Sequence, residues 1–165
     1  MEGIMPIYEG VAITGTLSVR RKSELTFNGL SLAIGTTAVN LITTLKALTP
    51  ASGSFAPFFN TTTNKFNVFN VNATCTFKIN LIGSWGGGTG NRSMTVDFTS
   101  TTGNTLVASR DQAVTTDIVS LPTFFSVDKD GNLATNGSDI TIKSNGGTFT
   151  ATTILLIAEQ MVPQG

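Results

Sequence analysis

The sequence predicts an antiparallel all-β sandwich or barrel, and three observations carry that expectation. From Phe58 to Ala158 apolar residues alternate with small polar ones almost throughout, about one residue in six of the chain is Thr, and turn residues recur at short, regular intervals. Alternation at period two sends one side of each strand into a core and the other into water, and β-branched Thr suits the half-solvated side. Several short strands with turns at this spacing read as a sandwich or barrel.

Taken in order, residues 1–24 read as an N-terminal arm and residues 25–165 as the domain. After a Gly/Pro-punctuated lead, Val11, Ile13, Leu17 and Val19 alternate with Ala12, Thr14, Ser18 and Arg20, a strand whose apolar side must lie on the domain or on a partner. Arg20-Arg21-Lys22, followed by Ser23-Glu24, is the one local charge run. It reads either as a solvated turn or as an anchor onto an acidic partner surface, with nucleic acid the weakest reading. Leu30, Leu32 and Ile34 recur at period two. Val39, Leu41, Ile42, Leu45 and Leu48 fit a three-turn helix nearly as well as two strands, and the loop Pro50-Ala51-Ser52-Gly53 ends either.

Strands are then expected at Lys65 to Val71, Thr74 to Gly83, Ser93 to Thr99, Thr105 to Ser109, Ile118 to Val127, Ile140 to Lys143 and Thr148 to Ala158. Among the turns between them, Trp85 to Asn91 is a long glycine-rich tip. No helix pattern or Lys-Ser/Thr pair follows it, so it is not a phosphate cradle. Trp85 is its candidate exposed contact, or else a rim residue closing the end of the sandwich. Paired Phe124-Phe125, like Phe58-Phe59, reads as inter-sheet or intersubunit core in preference to a stacking platform.

Composition narrows the function. A chain of 165 residues is the size of one domain, and surface scaling buries roughly 70% of the unfolded chain's surface at that length. The single Cys75 alternates in phase with Phe77, Ile79 and Leu81, which makes it an inert buried thiol and leaves no disulfide within the chain. Synthesis in the cytoplasm follows as the expectation. The N-terminus has no basic region leading into an apolar block, and Ile154 to Ala158 is too short to cross a bilayer, so no membrane partner is expected.

Ten basic and ten acidic side chains balance, with only 12% of residues charged, so long-range attraction for nucleic acid is weak and self-association is favoured. There is no His, and Asp97, Asp111, Asp117 and Asp128 fall on separate elements, so neither a catalytic site nor a cofactor is expected. Asp128, Asp130, Asn132 and Asp139 sit at spacings reminiscent of a calcium loop. Leu133 stands where the sharp-turn Gly belongs and Asp139 where a longer Glu would close, so an Asp-Gly hairpin explains Asp130-Gly131 better.

Three patches point further. Asn60-Thr61-Thr62-Thr63-Asn64-Lys65-Phe66-Asn67-Val68 is a small-residue turn into an aromatic strand; Ala73 to Ile82 sets Phe77 at an aromatic strand position; and Asn136-Gly137-Ser138-Asp139-Ile140-Thr141-Ile142, then Gly147-Thr148-Phe149-Thr150-Ala151 to Leu155, give a Gly-Asp turn and a closing strand. Together these patches resemble the globular heads of the tumour necrosis factor and complement superfamily, over about 100 residues. Asn72-Ala73 replaces that family's Pro-Gly pair, and Ala151 or Thr152 its closing Gly.

The resemblance implies a jelly roll that assembles as a homotrimer, with Phe124, Phe125 and Phe149 in the core or at the trimer contact. The Thr/Asn/Gly wealth and missing His are similar to the bacteriophage members of the superfamily. These imply a virion structural protein. The first expectation is a capsid decoration (cement) protein on the capsid surface, gripping the major capsid protein through Arg20, Arg21 and Lys22. The alternative is a receptor-binding knob of a tail needle or fibre, set second because no shaft is visible in the sequence.

Overall fold

The computed structural model describes residues 17–88, 90–101 and 104–164. Its largest sheet is built from long strands. β1 (Ser18–Phe27) pairs along its whole length with β12 (Phe149–Pro163), which pairs on its other side with β7 (Ala73–Trp85), and β7 in turn pairs with β10 (Thr116–Val127). Short β4 (Ser52–Ser54) edges β1, and β2 (Leu32–Ile34) pairs the start of β12, giving the order β10-β7-β12-β1-β4. The second sheet is β3-β11-β8-β9, made of β3 (Val39–Asn40), β11 (Ile140–Asn145), β8 (Arg92–Phe98) and β9 (Thr105–Arg110). A small hairpin joins β5 (Phe59–Asn60) to β6 (Lys65–Phe66). All pairings are antiparallel, and from β7 onward the chain steps from one sheet to the other and back. The expected antiparallel jelly-roll sandwich is the fold observed.

Alternation explains the core. Cys75, Phe77, Ile79 and Leu81 of β7 face inward with Val119, Leu121 and Phe125 of β10 and Leu25 and Phe27 of β1, opposite Met94, Val96, Phe98, Ile140 and Ile142 of the second sheet. Phe66 is the hub of an aromatic cluster, with ring centroids 5.5 Å from Phe125, 5.6 Å from Phe98 and 6.0 Å from Phe77. β12 changes phase: Phe149 and Ala151 are buried, then Ile154, Leu156 and Ala158. A bulge at Thr152 causes this, since one extra residue flips every later side chain to the other face.

Two expectations are resolved or corrected. The stretch 37–48 is neither two strands nor three helical turns: β3 gives way to α1 (Leu41–Lys46), whose N-cap Asn40 accepts from Thr43 N at 2.9 Å and which buries Leu41, Ile42 and Leu45. The Asp130-Gly131 hairpin is not formed, because Gly131 is the N-cap of α2 (Asn132–Asn136), and Leu133 lies in that helix instead of in a strand. Asp130 takes φ 63°, and its N–H donates to Asn70 Oδ1 at 2.6 Å. The strand expected over Lys65 to Val71 stops at Phe66.

The sandwich has two distinct ends. Ser18, Ala73, Val127 and Pro163 lie at one, here called proximal, where Gln164 N donates to Leu17 O at 2.7 Å. At the other, distal end β7 finishes at Trp85 opposite Phe149, and the segments 86–88, 111–115 and 146–148 come together. Gly86 N donates there to Thr148 O and Trp85 N to Thr115 O.

Candidate functional site

The outer face of the large sheet departs from what its composition would suggest. Strands with one wet side normally carry polar residues there. On β10, however, Phe124 is 68% exposed and Ile118 62%, and Ile118 sits in register with Ile82 of β7, itself 41% exposed. Leu155 and Ile157 of β12, opposite Asn80 and Lys78 of β7, extend the apolar surface as half-buried residues. Asn80 Oδ1 lies buried on this face without a hydrogen-bond donor. Several large apolar side chains exposed on one sheet face mark a protein contact. Sequence reasoning missed Ile82 and Ile118, because strand register, which brings them side by side, is set by tertiary pairing.

The structure spreads the sequence-derived candidates over the molecule. Arg20, Arg21 and Lys22 lie on β1, not in a turn after a strand; Arg20 reaches Glu159 at 3.6 Å, Lys22 pairs with Glu24, and Arg21 is exposed with no ion pair among the described residues. The earlier part of the proposed arm, with Val11 and Ile13, lies outside the described residues. Of the paired phenylalanines, Phe125 is core at 4% exposure and Phe124 is on the outer face, while Phe149 is fully buried. Adjacent strand residues point to opposite sides, so the two cannot share a role.

Trp85 is not an exposed contact. It is 5% exposed, packs edge-on against Phe149 with centroids 4.9 Å apart, and its indole N–H donates to Asp117 Oδ2 at 3.3 Å. It closes the distal end because it is the last inward-facing residue of β7. Asp117 also accepts from Arg110 Nε at 2.8 Å, tying β10 to β9 across the two sheets.

Asp128, Asp130, Asn132 and Asp139 do not converge as ligands would. Asp130 Oδ1 accepts from Asn70 Nδ2 at 2.8 Å, Asn132 accepts from Asn136 and donates to Ser100 O, and Asp139 follows α2. Among the described residues no group of three His, Cys, Asp or Glu side chains is placed to hold a metal ion. Burial, reinforced by nearby Glu159, pushes the Cys75 thiol up to about 12, so it is no nucleophile at neutral pH.

Comparison with known proteins places this fold. A family model described as the Sf6-type phage tail needle knob or tip of some Caudovirales matches residues 19–160. The tail needle protein of Shigella phage Sf6 is 56% identical over 143 residues, which are 87% of this chain and 51% of that protein. The chain therefore spans about half the length of that curated relative. Among solved structures, the PRD1 vertex protein P5 superposes with a TM-score of 0.51 at 11% identity, over 86% of this chain and 96% of that one, a likeness of fold alone.

Proposed function

The chain belongs to the Sf6-type phage tail needle knob family, and from that premise we propose that it forms the homotrimeric knob of a tail needle and meets the host surface with its distal end. It is a virion structural protein, and in this reading it performs no reaction. The family match, which runs over residues 19–160 and hence nearly the whole sandwich, supports the alternative of a tail needle knob and lends no support to the first expectation of a cement protein bound to the major capsid protein. That expectation leaned on the missing shaft. The argument has no force for a chain that covers about half of its relative.

The observation that carries the assembly is the outer face of β10-β7-β12. Phe124, Ile118 and Ile82 are large apolar side chains exposed on one face of the sheet, Ile118 beside Ile82 and Phe124 further along the same strand, and burying each contributes about 1.5–3 kcal/mol. Three copies packed through this face around a shared axis would cover them. Orientation is supported by Leu17 and Gln164, which bond to each other at the proximal end. A shaft joined on either side of residues 17–164 leaves from that end, and the segments 86–88, 111–115 and 146–148 lie at the opposite one. The boundary at residue 24 falls inside β1, so we propose the arm as the part of the chain that leads β1 into the sheet.

Native mass spectrometry tests the assembly, with a trimer expected and a stable monomer at micromolar concentration fatal to it. Recognition is tested separately by fluorescently labelled protein, which should bind host cells and not an unrelated species.

A further inference from the structure

We propose that Asn28-Gly29 is a site of spontaneous covalent modification, at which the asparagine amide is lost as ammonia and an aspartyl or isoaspartyl residue takes its place. The chain has three Asn-Gly pairs, Asn28-Gly29, Asn136-Gly137 and Asn145-Gly146. Asparagine is among the thermally labile residues, and a following glycine leaves the reacting backbone free of side-chain hindrance. Sequence alone ranks the three pairs equally. Their surroundings separate them.

In the reaction the Gly29 backbone nitrogen attacks Cγ of Asn28. An N–Cγ bond forms, the Cγ–Nδ2 bond breaks, and the amide group departs as ammonia with the proton that the Gly29 nitrogen gave up. Water then opens the cyclic imide. Opening at the side-chain carbonyl gives aspartate, and opening at the backbone carbonyl gives isoaspartate. The attack needs a nitrogen free to lose its proton, an amide free to turn toward it, and room for the ring.

Asn28 and Gly29 meet all three needs. Both are exposed in the link between β1 and β2. Among the described residues the Asn28 amide makes no hydrogen bond and the Gly29 N–H donates none. Gly29 takes φ 65°, and a Cβ built on it would meet nothing within 4 Å. The other two pairs are held in place. Asn136 Nδ2 donates to Asn132 Oδ1 at 2.8 Å, Gly137 N donates to Leu133 O at 3.0 Å, and a Cβ on Gly137 would meet Phe66 O at 2.7 Å. Asn145 lies in β11 opposite Ser93, to whose Oγ its Nδ2 donates at 3.0 Å, and a Cβ on Gly146 would meet Asn91 O at 2.2 Å. Each hydrogen bond that must break first adds about 1 kcal/mol to the barrier, roughly fivefold in rate.

The product acts locally. Each event leaves a new carboxylate just past the end of β1, and the isoaspartyl form lengthens the backbone by a carbon atom between Phe27 and Leu30. Leu30 N donates to Thr152 O at 3.0 Å, so the added carbon falls where the chain is pinned to the bulge of β12. None of this depends on the knob reading.

The experiment ages the full chain in mildly alkaline buffer and follows all three pairs by peptide mapping, which separates asparagine, aspartate and isoaspartate by mass and retention. Amide loss at Asn28 should run about tenfold or more ahead of loss at Asn136 and Asn145, as their extra hydrogen bonds require. In urea, where the fold no longer distinguishes the pairs, the rates should converge. The Leu30 amide should exchange its hydrogen faster in aged protein than in fresh. Asn28→Gln, whose longer side chain closes a ring far less readily, should lose both the early ammonia release and the change at Leu30. Equal rates in the native protein, a lead by Asn136 or Asn145, or an Asn28 that stays intact while the urea-unfolded chain reacts would each overturn the proposal. Unchanged Leu30 exchange in a fully converted sample would overturn the local consequence drawn from it.

Discussion

Cys75 and Asp117 show how single side chains govern this molecule. A thiol whose folded value lies near 12, against an ordinary value near 9, holds its proton more tightly in the native state. Stability from this group is therefore complete below about pH 9 and falls as pH rises through 12, by about 1.4 kcal/mol per pH unit. Urea titrations from pH 8 to pH 11 should show the decline, and Cys75→Ser should flatten it. Iodoacetamide should label Cys75 only once the fold is lost. Asp117 is tied to both Trp85 and Arg110, so Asp117→Ala strands a half-buried guanidinium and a buried indole N–H. We expect a loss of about 2–4 kcal/mol, measured as a fall in urea midpoint with unchanged slope. The inward phase of Cys75 was legible from its alternation with Phe77 and Ile79. The burial of Trp85 was not, since the glycines after it suggested an exposed tip and only β7's length brings the indole under Phe149.

Among the elements, those with strict period-two alternation were readable and those set by caps or bulges were not. β7 and β10 follow the expected spans within two residues at each end. α1 stayed ambiguous because Leu41, Ile42 and Leu45 fit either period; the deciding signal was Asn40, whose side chain caps the helix and also donates to Asn64 O at 3.0 Å. Asn40→Ala should cost about 1 kcal/mol or more, seen in thermal unfolding, with Asn40→Asp restoring the cap alone. α2 was read as a hairpin because Asp-Gly favours tight turns, while the side chains of Asn70 and Asn72, far off in sequence, bond the backbone of Asp130 and Lys129 and fix a helical exit. At the β7-β12 seam, a Cβ on Gly83 would come within 2.1 Å of Thr150 O. Gly83→Ala should thus destabilise by about 1–3 kcal/mol or prevent folding, read from the denaturant midpoint.

For the whole molecule, the sandwich was visible in the sequence and the exposed apolar face proposed to join copies was not. In the sequence Phe124 and Phe125 read alike as core or contact, and only their opposite orientation tells which is which. Ile118→Asp or Phe124→Asp should leave a folded protein with native circular dichroism but shift the proposed trimer to monomer in native mass spectrometry, because neither side chain is buried in the monomer's core. Monomers that also unfold would show that the sheet depends on its partners. The hydrogen bond between Leu17 and Gln164 has a consequence of its own. With those two positions touching, the sandwich behaves as a cassette: it could be spliced into an exposed turn of an unrelated scaffold without stretching either junction, or rejoined there and cut open elsewhere to give a permuted chain of the same shape.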